Sequence, residues 1–241
     1  MGSPKRPNFS KMIEIGKGQA GIVYLDPKTN TLYKVNRRTP LKKTEIAYGR
    51  LAGRLGVGPK VKPSKNSKVL AMEFLKGYKT LCSYWSSQAT EAPTPLQTKI
   101  ARIGICKWVF LVKKGIVHND THCENVMYKG SSVKIIDYGS AKEATPLNIV
   151  ANAIHTTRFI RQLLAPALGG ISSRKFKTSP TASYLMDLNK KYGQKGQRPY
   201  RELKVFDKTT LERMAKKIVG GLTKEFCIKT QEHESFSERR V

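Results

Sequence analysis

Between Val117 and Ala141 the chain reads VHNDTHCENVMYKGSSVKIIDYGSA, which sets two groups of polar residues close together. The first is His118, Asp120 and Asn125; the second is Asp137, Tyr138 and Gly139. Between them, Val126-Met127-Tyr128, a turn at Lys129-Gly130-Ser131-Ser132, and Val133-Lys134-Ile135-Ile136 predict a β-hairpin. Such a hairpin puts Asn125 and Asp137 at the ends of neighbouring strands, with Asp120 on the loop before them. Phosphoryl transfer from a nucleotide needs this set: one carboxylate to orient the acceptor hydroxyl, and an Asn and a second Asp to hold magnesium against the phosphates. Asp and Asn are also common turn residues, and Asp137-Tyr138-Gly139 taken alone reads equally as a turn. Order and spacing taken together favour the chemistry.

The elements that must position these residues start near the N-terminus. Gly16-Lys17-Gly18-Gln19-Ala20-Gly21-Ile22-Val23 is a G-x-G-x-x-G-x-V run between two apolar, strand-like stretches. Its glycines allow backbone N–H groups to approach phosphates closely. A dinucleotide-binding turn has the same glycines but opens a helix. Here Ile22 to Leu25 is β-branched and aromatic, Asp26 to Asn30 is a turn, and Thr31 to Val35 reads as a further strand that carries Lys34. Thr44 to Leu55 has helical spacing, with Ile46, Leu51 and Leu55 expected on the buried side and Gly56-Val57-Gly58-Pro59 ending it. Val69 to Gly77 reads as a buried strand. Ser83 to Thr98 is a polar, Pro-containing stretch read as a loop, and Leu96 to Lys114 is a long helical pattern whose aromatics are expected in the core. A helix is expected from Leu147 to Leu164. Gly169 to Arg201 reads as a long basic loop or a partly disordered segment, with a short helix at Tyr184 to Lys191. Phe206 to Thr223 is expected to be helical, with Thr209 or Thr210 before it and Leu211, Met214, Ile218 and Leu222 on its apolar side.

From about Ile13 to Ala141, roughly half of the chain, these motifs in this order resemble the protein-kinase-like superfamily. The resemblance implies an α+β, bilobal protein-kinase-like fold: a basic arm over residues 1–10, an antiparallel β N-lobe with one helix over 11–81, and a mainly α-helical C-lobe over 82–241. It implies ATP as substrate and Mg2+ as its metal. By the same resemblance Gly16, Lys17, Gly18, Gln19, Ala20, Gly21 and Val23 cover the nucleotide. Lys34 contacts its phosphates and Glu45 pairs with Lys34. Met72 flanks the adenine, and backbone groups near Glu73, Phe74 and Leu75 bond the base. His118 braces the loop, Asp120 is the catalytic carboxylate, and Asn125 and Asp137 are the metal ligands. Protein kinases usually have Arg where Asn119 stands and Lys where His122 stands. The H-x-D-x-H-x-x-N form looks more like the aminoglycoside and choline phosphotransferases. The stretch after Gly139 looks short, and Ala165-Pro166-Ala167 lacks the Glu of the A-P-E motif. In this the chain resembles the RIO kinases and the small kinase of the KEOPS complex. Small size and basicity are similar to those of kinases packaged in large DNA virus particles.

Composition bounds the rest. At 241 residues the chain is long enough for one large domain or two small lobes. No run of eighteen apolar residues occurs and the N-terminus is polar, so neither a membrane span nor a secretory signal is expected. Cys82, Cys106, Cys123 and Cys227 are widely scattered without a C-x-x-C pair. That predicts neither a zinc site nor a disulfide framework, and it favours a reducing, intracellular compartment: cytoplasm, nucleus or a virus particle. The net charge of +28, from 45 basic and 17 acidic residues, predicts non-specific binding of nucleic acid or another polyanion. Candidate contributors are Lys5, Arg6, Lys42, Lys43, Arg174, Lys175, Lys177, Lys190, Lys191, Lys195, Arg198 and Arg201. The leading expectation is an ATP-dependent kinase acting on Ser/Thr of a protein substrate. The alternatives are a small-molecule phosphotransferase, which the basic C-terminal part disfavours for cationic substrates, and a basic nucleic-acid-binding pseudokinase.

Overall fold

β-Branched and aromatic residues between Ile13 and Asn36 form three consecutive antiparallel strands: β1 (Ile13–Lys17), β2 (Gly21–Asp26) and β3 (Thr31–Asn36). The computed structural model describes residues 7–18, 21–37, 39–62, 64, 66–85, 94–120, 122–155, 179–192 and 203–227. The protein is α+β, with two compact units that meet in sequence at Gly77 and Tyr78. That division precedes the expected boundary at Leu81 because Lys79 and Thr80 pair with a strand of the second unit.

In the first unit β4 (Val61–Lys62) and β5 (Val69–Glu73) complete a five-stranded sheet of order β1-β2-β3-β5-β4, all neighbours antiparallel. The β2–β3 turn is made locally: Asp26 accepts the Lys28 N–H at 3.0 Å and the Thr29 hydroxyl at 2.8 Å. Gly21 opens a strand, not a helix, which removes the dinucleotide-turn reading. A Cβ at Gly21 would collide with the Val35 carbonyl, so strand packing alone requires this glycine. Of the expected basic arm, Phe9–Lys11 forms a short 3-10 turn capped by Asn8, and the Phe9 ring packs 5.1 Å from Tyr24 and 6.1 Å from Tyr33. Residues 1–6 lie outside the described residues.

Among the described residues the α-helix of this unit is α1 (Lys43–Arg54). Its buried face is Glu45, Gly49, Ala52 and Gly53, whereas Ile46, Leu51 and Leu55, expected there, are half-buried. The reason is close approach: a Cβ on Gly53 would lie 2.7 Å from the Pro59 carbonyl oxygen, and one on Gly49 would lie 3.2 Å from Val61. Only small residues fit against that segment. The helix ends as expected, with Gly56 N–H on the Gly53 carbonyl and Val57 N–H on that of Ala52.

The second unit is built around α3 (Pro95–Lys113), which starts with a Thr94–Gln97 capping box and is buried around most of its circumference. Trp108 is 1% exposed and donates its indole N–H to Asn152 Oδ1 at 2.9 Å, on α4 (Pro146–His155). Phe110, also expected in the core, is 38% exposed beneath the Lys114 ammonium. The polar stretch expected as a loop from Ser83 begins inside a short helix, α2 (Leu81–Trp85), and ends where Pro95 opens α3; 86–93 lie outside the described residues. Of the helix expected over Leu147 to Leu164, the part beyond His155 lies outside them too. The basic stretch of 169–201 contains a helix longer than expected, α5 (Pro180–Tyr192), with Leu185 and Leu188 in the core; 169–178 and 193–201 are not among the described residues. Finally α6 (Lys208–Leu222) buries Leu211, Met214, Ile218 and Leu222 as predicted, but its cap is Asp207, which accepts the Thr210 N–H at 2.8 Å. A π turn, Thr223–Cys227, follows it. Its Glu225 receives the Thr181 N–H at 2.8 Å and the hydroxyls of Ser179 and Thr181, placing a carboxylate at the α5 N-terminus.

Two small ladders frame the polar residues. β6 (Lys79–Thr80), β8 (Val126–Lys129) and β9 (Ser132–Ile135) form a three-stranded sheet in the order β6-β8-β9; β7 (Ile116–Val117) pairs with β10 (Lys142–Glu143). The β8–β9 pair is the predicted hairpin. The short stretch after Asp137 is confirmed in kind: only Tyr138 to Thr145 separates it from α4.

The cysteine expectation is overturned. Cys82 is disulfide-bonded to Cys123 and Cys106 to Cys227, with Cα–Cα distances of 4.8 and 5.4 Å, and among the described residues no cysteine is free. The partners are 41 and 121 residues apart, so folding, not spacing, brings them together. Disulfides persist in oxidising surroundings, so the basis for expecting a reducing compartment is gone. In chain-entropy terms each closed loop is worth about 4–5 kcal/mol.

Gly21→Ala is expected to cost about 1–3 kcal/mol of stability through overpacking on Val35, whereas Gly18→Ala, which has nothing within 4 Å, should change it by less than about 0.5 kcal/mol. Urea denaturation of the two variants checks this; equal losses would show that the glycine at 21 is not a packing requirement.

Candidate functional site

The second unit assembles the polar residues around the backbone of one residue, Ile136. Leaving β7, the chain places His118 fully buried, and its Nε2–H donates to the Ile136 carbonyl at 2.9 Å. The Ile136 N–H in turn donates to the Asn125 carbonyl at 2.9 Å. The two polar stretches are therefore bonded to each other immediately before Asp137. Burial holds the His118 pKa below its ordinary value of 6.5, so the ring is neutral; the bond to Ile136 and the charges of Asp120 and Asp137 oppose this more weakly. Its edge meets the Tyr138 ring at a centroid distance of 5.0 Å.

Asn119 turns the chain with φ +61, and Asp120 emerges with its side chain 47% exposed. In the 3-10 turn Cys123–Asn125, the Asn125 N–H donates to the His122 carbonyl at 2.9 Å. The Asn125 amide Nδ2 donates to the Asp120 carbonyl oxygen at 2.8 Å and lies 3.4 Å from Asp120 Oδ2 and 3.2 Å from His122 Nε2. With its Nδ2 engaged on that side, Asn125 keeps Oδ1 as its donor atom for a cation. Asp137, also left-handed at φ +61, is exposed, and its Oδ1 accepts the Gly139 N–H at 3.2 Å. Among the described residues no cluster of three or more His, Cys, Asp or Glu is disposed to hold a metal. Asn125 and Asp137 together offer a small, all-oxygen donor set. That suits magnesium, which keeps waters and phosphate oxygens in its shell.

His122 is the residue that sequence reasoning left without a role. It is 9% exposed, with Nδ1 3.3 Å from the Glu124 N–H and Nε2 against the Asn125 amide. Asp120 Oδ1 and Glu124 Oε2 face the ring at 3.6 and 3.7 Å. The available signal was its position, two residues after Asp120 and three before Asn125.

The first unit forms its own part. Lys34 on β3 and Glu45 in the first turn of α1 make an ion pair of 2.9 Å, with side chains 17% and 6% exposed. The helix N-terminus adds to the stability of the carboxylate. Of the glycine loop, Gly18 N–H closes the hairpin on the Gly21 carbonyl at 2.9 Å, Lys17 is exposed, and Val23 pairs with Gly16 on one side and Lys34 on the other. Gln19 and Ala20 lie outside the described residues. Met72 is half-buried on β5 beside Leu32. The expectation for Glu73, Phe74 and Leu75 narrows. The Glu73 N–H is taken by the Lys60 carbonyl and that of Phe74 by Asn30, leaving the Leu75 N–H without a partner among the described residues.

Of the residues proposed to meet a polyanion, Lys42, Lys43, Lys190 and Lys191 are exposed; the others lie outside the described residues. Among the described residues no helix is long and apolar enough to cross a membrane. No protein-family model and no curated protein matches the chain.

Because His118 is held neutral, the unfolded chain binds its proton first as pH falls. Stability is complete above about pH 6.5 and is lost progressively below it. A flatter profile between pH 7.5 and 5 is expected for His118→Gln in thermal melts; parallel profiles would count against a buried neutral ring. The Tyr138 hydroxyl is buried with no partner among the described residues, and burial raises its pKa. Tyr138→Phe should therefore be neutral or more stable by about 1 kcal/mol. A clear loss of stability would reveal a partner for that hydroxyl.

Proposed function

We propose that the protein is an ATP-dependent phosphotransferase, and most directly a serine/threonine protein kinase with a bilobal kinase-like fold. The observation that carries this reading is the Ile136 backbone, which ties His118 and Asn125 together at the threshold of Asp137. Residues chosen by order and spacing alone end in mutual contact there, and Lys34 and Glu45 do so independently in the first unit. Asp120, half-exposed, is placed to orient an acceptor hydroxyl and to take its proton late in the transfer. Lys34, steadied by Glu45, binds the nucleotide phosphates. Asn125 and Asp137 hold magnesium, which when bound neutralises charge on the transferred group.

A second reading, transfer to a small hydroxylated molecule, is favoured by His122. It stands where protein kinases carry a lysine, and it packs on the Asn125 amide with its side chain 11% exposed. The basic surface fits a polyanionic partner in either case, and in the pseudokinase reading it would be the whole function.

The test is labelled ATP with casein, histone and myelin basic protein in separate lanes, beside choline and an aminoglycoside. Asp137→Asn is the informative variant, because Asn tolerates the left-handed backbone and keeps the acceptor for Gly139 while removing the charge. A drop of at least about 100-fold in transfer with an unchanged melting temperature is expected. Wild-type protein with no transfer to any acceptor, or with transfer indifferent to this change, would leave the pseudokinase reading.

A further inference from the structure

Cys123 lies inside the candidate site, and its disulfide partner does not. It opens the turn Cys123–Asn125, directly after His122, and is 3% exposed. Cys82 sits on α2, after Leu81, which is fully buried. That helix continues from β6, which is hydrogen-bonded to β8. The bond therefore runs from an anchored helix to the turn that presents Asn125. The other pair is different in kind. Cys106 on α3 and Cys227 after α6 close a loop of 121 residues across the core, against 41 for Cys82–Cys123. The longer loop constrains the unfolded chain more.

We propose that Cys82 and Cys123 are positioning residues: their disulfide holds the His122–Asn125 turn in its working geometry beside Asp120 and makes turnover depend on thiol redox state. The effect on turnover rests on the phosphotransferase reading above; the effect on the loop does not. Cys82 is the half-buried partner and the one a reductant reaches. A thiolate of a dithiol attacks Cys82 Sγ, the S–S bond breaks, and Cys123 leaves as a thiolate that takes up a proton. The second thiol of the reductant then attacks the mixed disulfide and frees Cys82. Two electrons pass from the dithiol, which becomes a disulfide, to the cystine. Without the tie, the turn is held by the Asn125–His122 and Ile136–Asn125 hydrogen bonds, the contacts that set Asn125 beside Asp120.

The experiment uses the full chain, oxidised and then titrated with dithiothreitol, with each pair followed by thiol trapping and peptide mass. Hydrogen exchange at Asn125 and Ile136 reports the loop, and labelled-ATP transfer reports turnover. Reduction of Cys82–Cys123 is expected to raise exchange at these amides about tenfold and to lower transfer about 10–100-fold. Reoxidation should restore both. Cys82→Ser/Cys123→Ser should behave as the reduced protein and ignore the reductant. Cys106→Ser/Cys227→Ser should melt lower yet keep the response; if either double variant does not fold, the wild-type titration decides alone. Reduction of the pair with unchanged exchange at both amides overturns the proposal, as does a protein whose Cys82 and Cys123 stay free thiols under oxidising conditions. Exchange that responds while no transfer occurs in either state upholds the tie and sinks the phosphotransferase reading instead.

Discussion

The backbone of Ile136 is the constraint on which the rest of the second unit's polar arrangement depends. Its carbonyl accepts from His118 and its N–H donates to Asn125, so both of its hydrogen-bonding groups join the two polar stretches. A backbone N–H or C=O withdrawn from water without such a partner would cost roughly 1–3 kcal/mol. This explains a histidine at a fully buried position where an aliphatic residue would pack without loss. Only a side chain with a donor at the right reach satisfies the carbonyl, and burial keeps that ring neutral. The price is an imidazole Nδ1 with no partner among the described residues.

The same logic accounts for the left-handed residues. Asn119 follows His118 and Asp137 follows Ile136, and both have φ +61. His118 is buried and Ile136 half-buried, and after each the chain turns sharply. Asp120 and Asp137 thereby reach solvent while His118 and Tyr138 stay in the interior. Asn and Asp are the non-glycine residues that adopt this conformation at least cost, because their short polar side chains bond locally. Asp137 does so to the Gly139 N–H. Conformations of this sort concentrate at functional sites, and here two of the three non-glycine examples among the described residues border the candidate carboxylates.

Much of this was legible in the chain because it is local. The hairpin from Val126 to Ile135, the glycine-bearing strand pair and the long helix through Trp108 each follow from periodicity and turn chemistry within a short window. The Lys34–Glu45 pair was legible for another reason: Glu45 is the only acidic residue between Asp26 and Glu73. What was not legible depends on contacts between distant residues. Apolar periodicity pointed to Ile46, Leu51 and Leu55 on α1, but the helix approaches Pro59 so closely that Gly49, Ala52 and Gly53 form the buried face. The Asp207 cap was missed because two threonines beside it offer the same chemistry. The cysteines were misread because a separation of 41 or 121 residues carries no local signature of pairing.

Covalent and electrostatic features divide the molecule's stability and its chemistry differently. The Cys106–Cys227 bond closes the long loop around the helical core. Lys34–Glu45 is a partly buried pair whose net contribution to stability is small next to the cost of breaking it, since removing either partner strands a charge in the interior. A pair of that kind is poor as a staple and effective at fixing where an ammonium sits. Asn125 is held differently, by contacts of its amide with the Asp120 carbonyl, the Asp120 carboxylate and His122, and by two main-chain hydrogen bonds. The candidate cation and the candidate oxygen donors are thus fixed by separate means, each within its own unit.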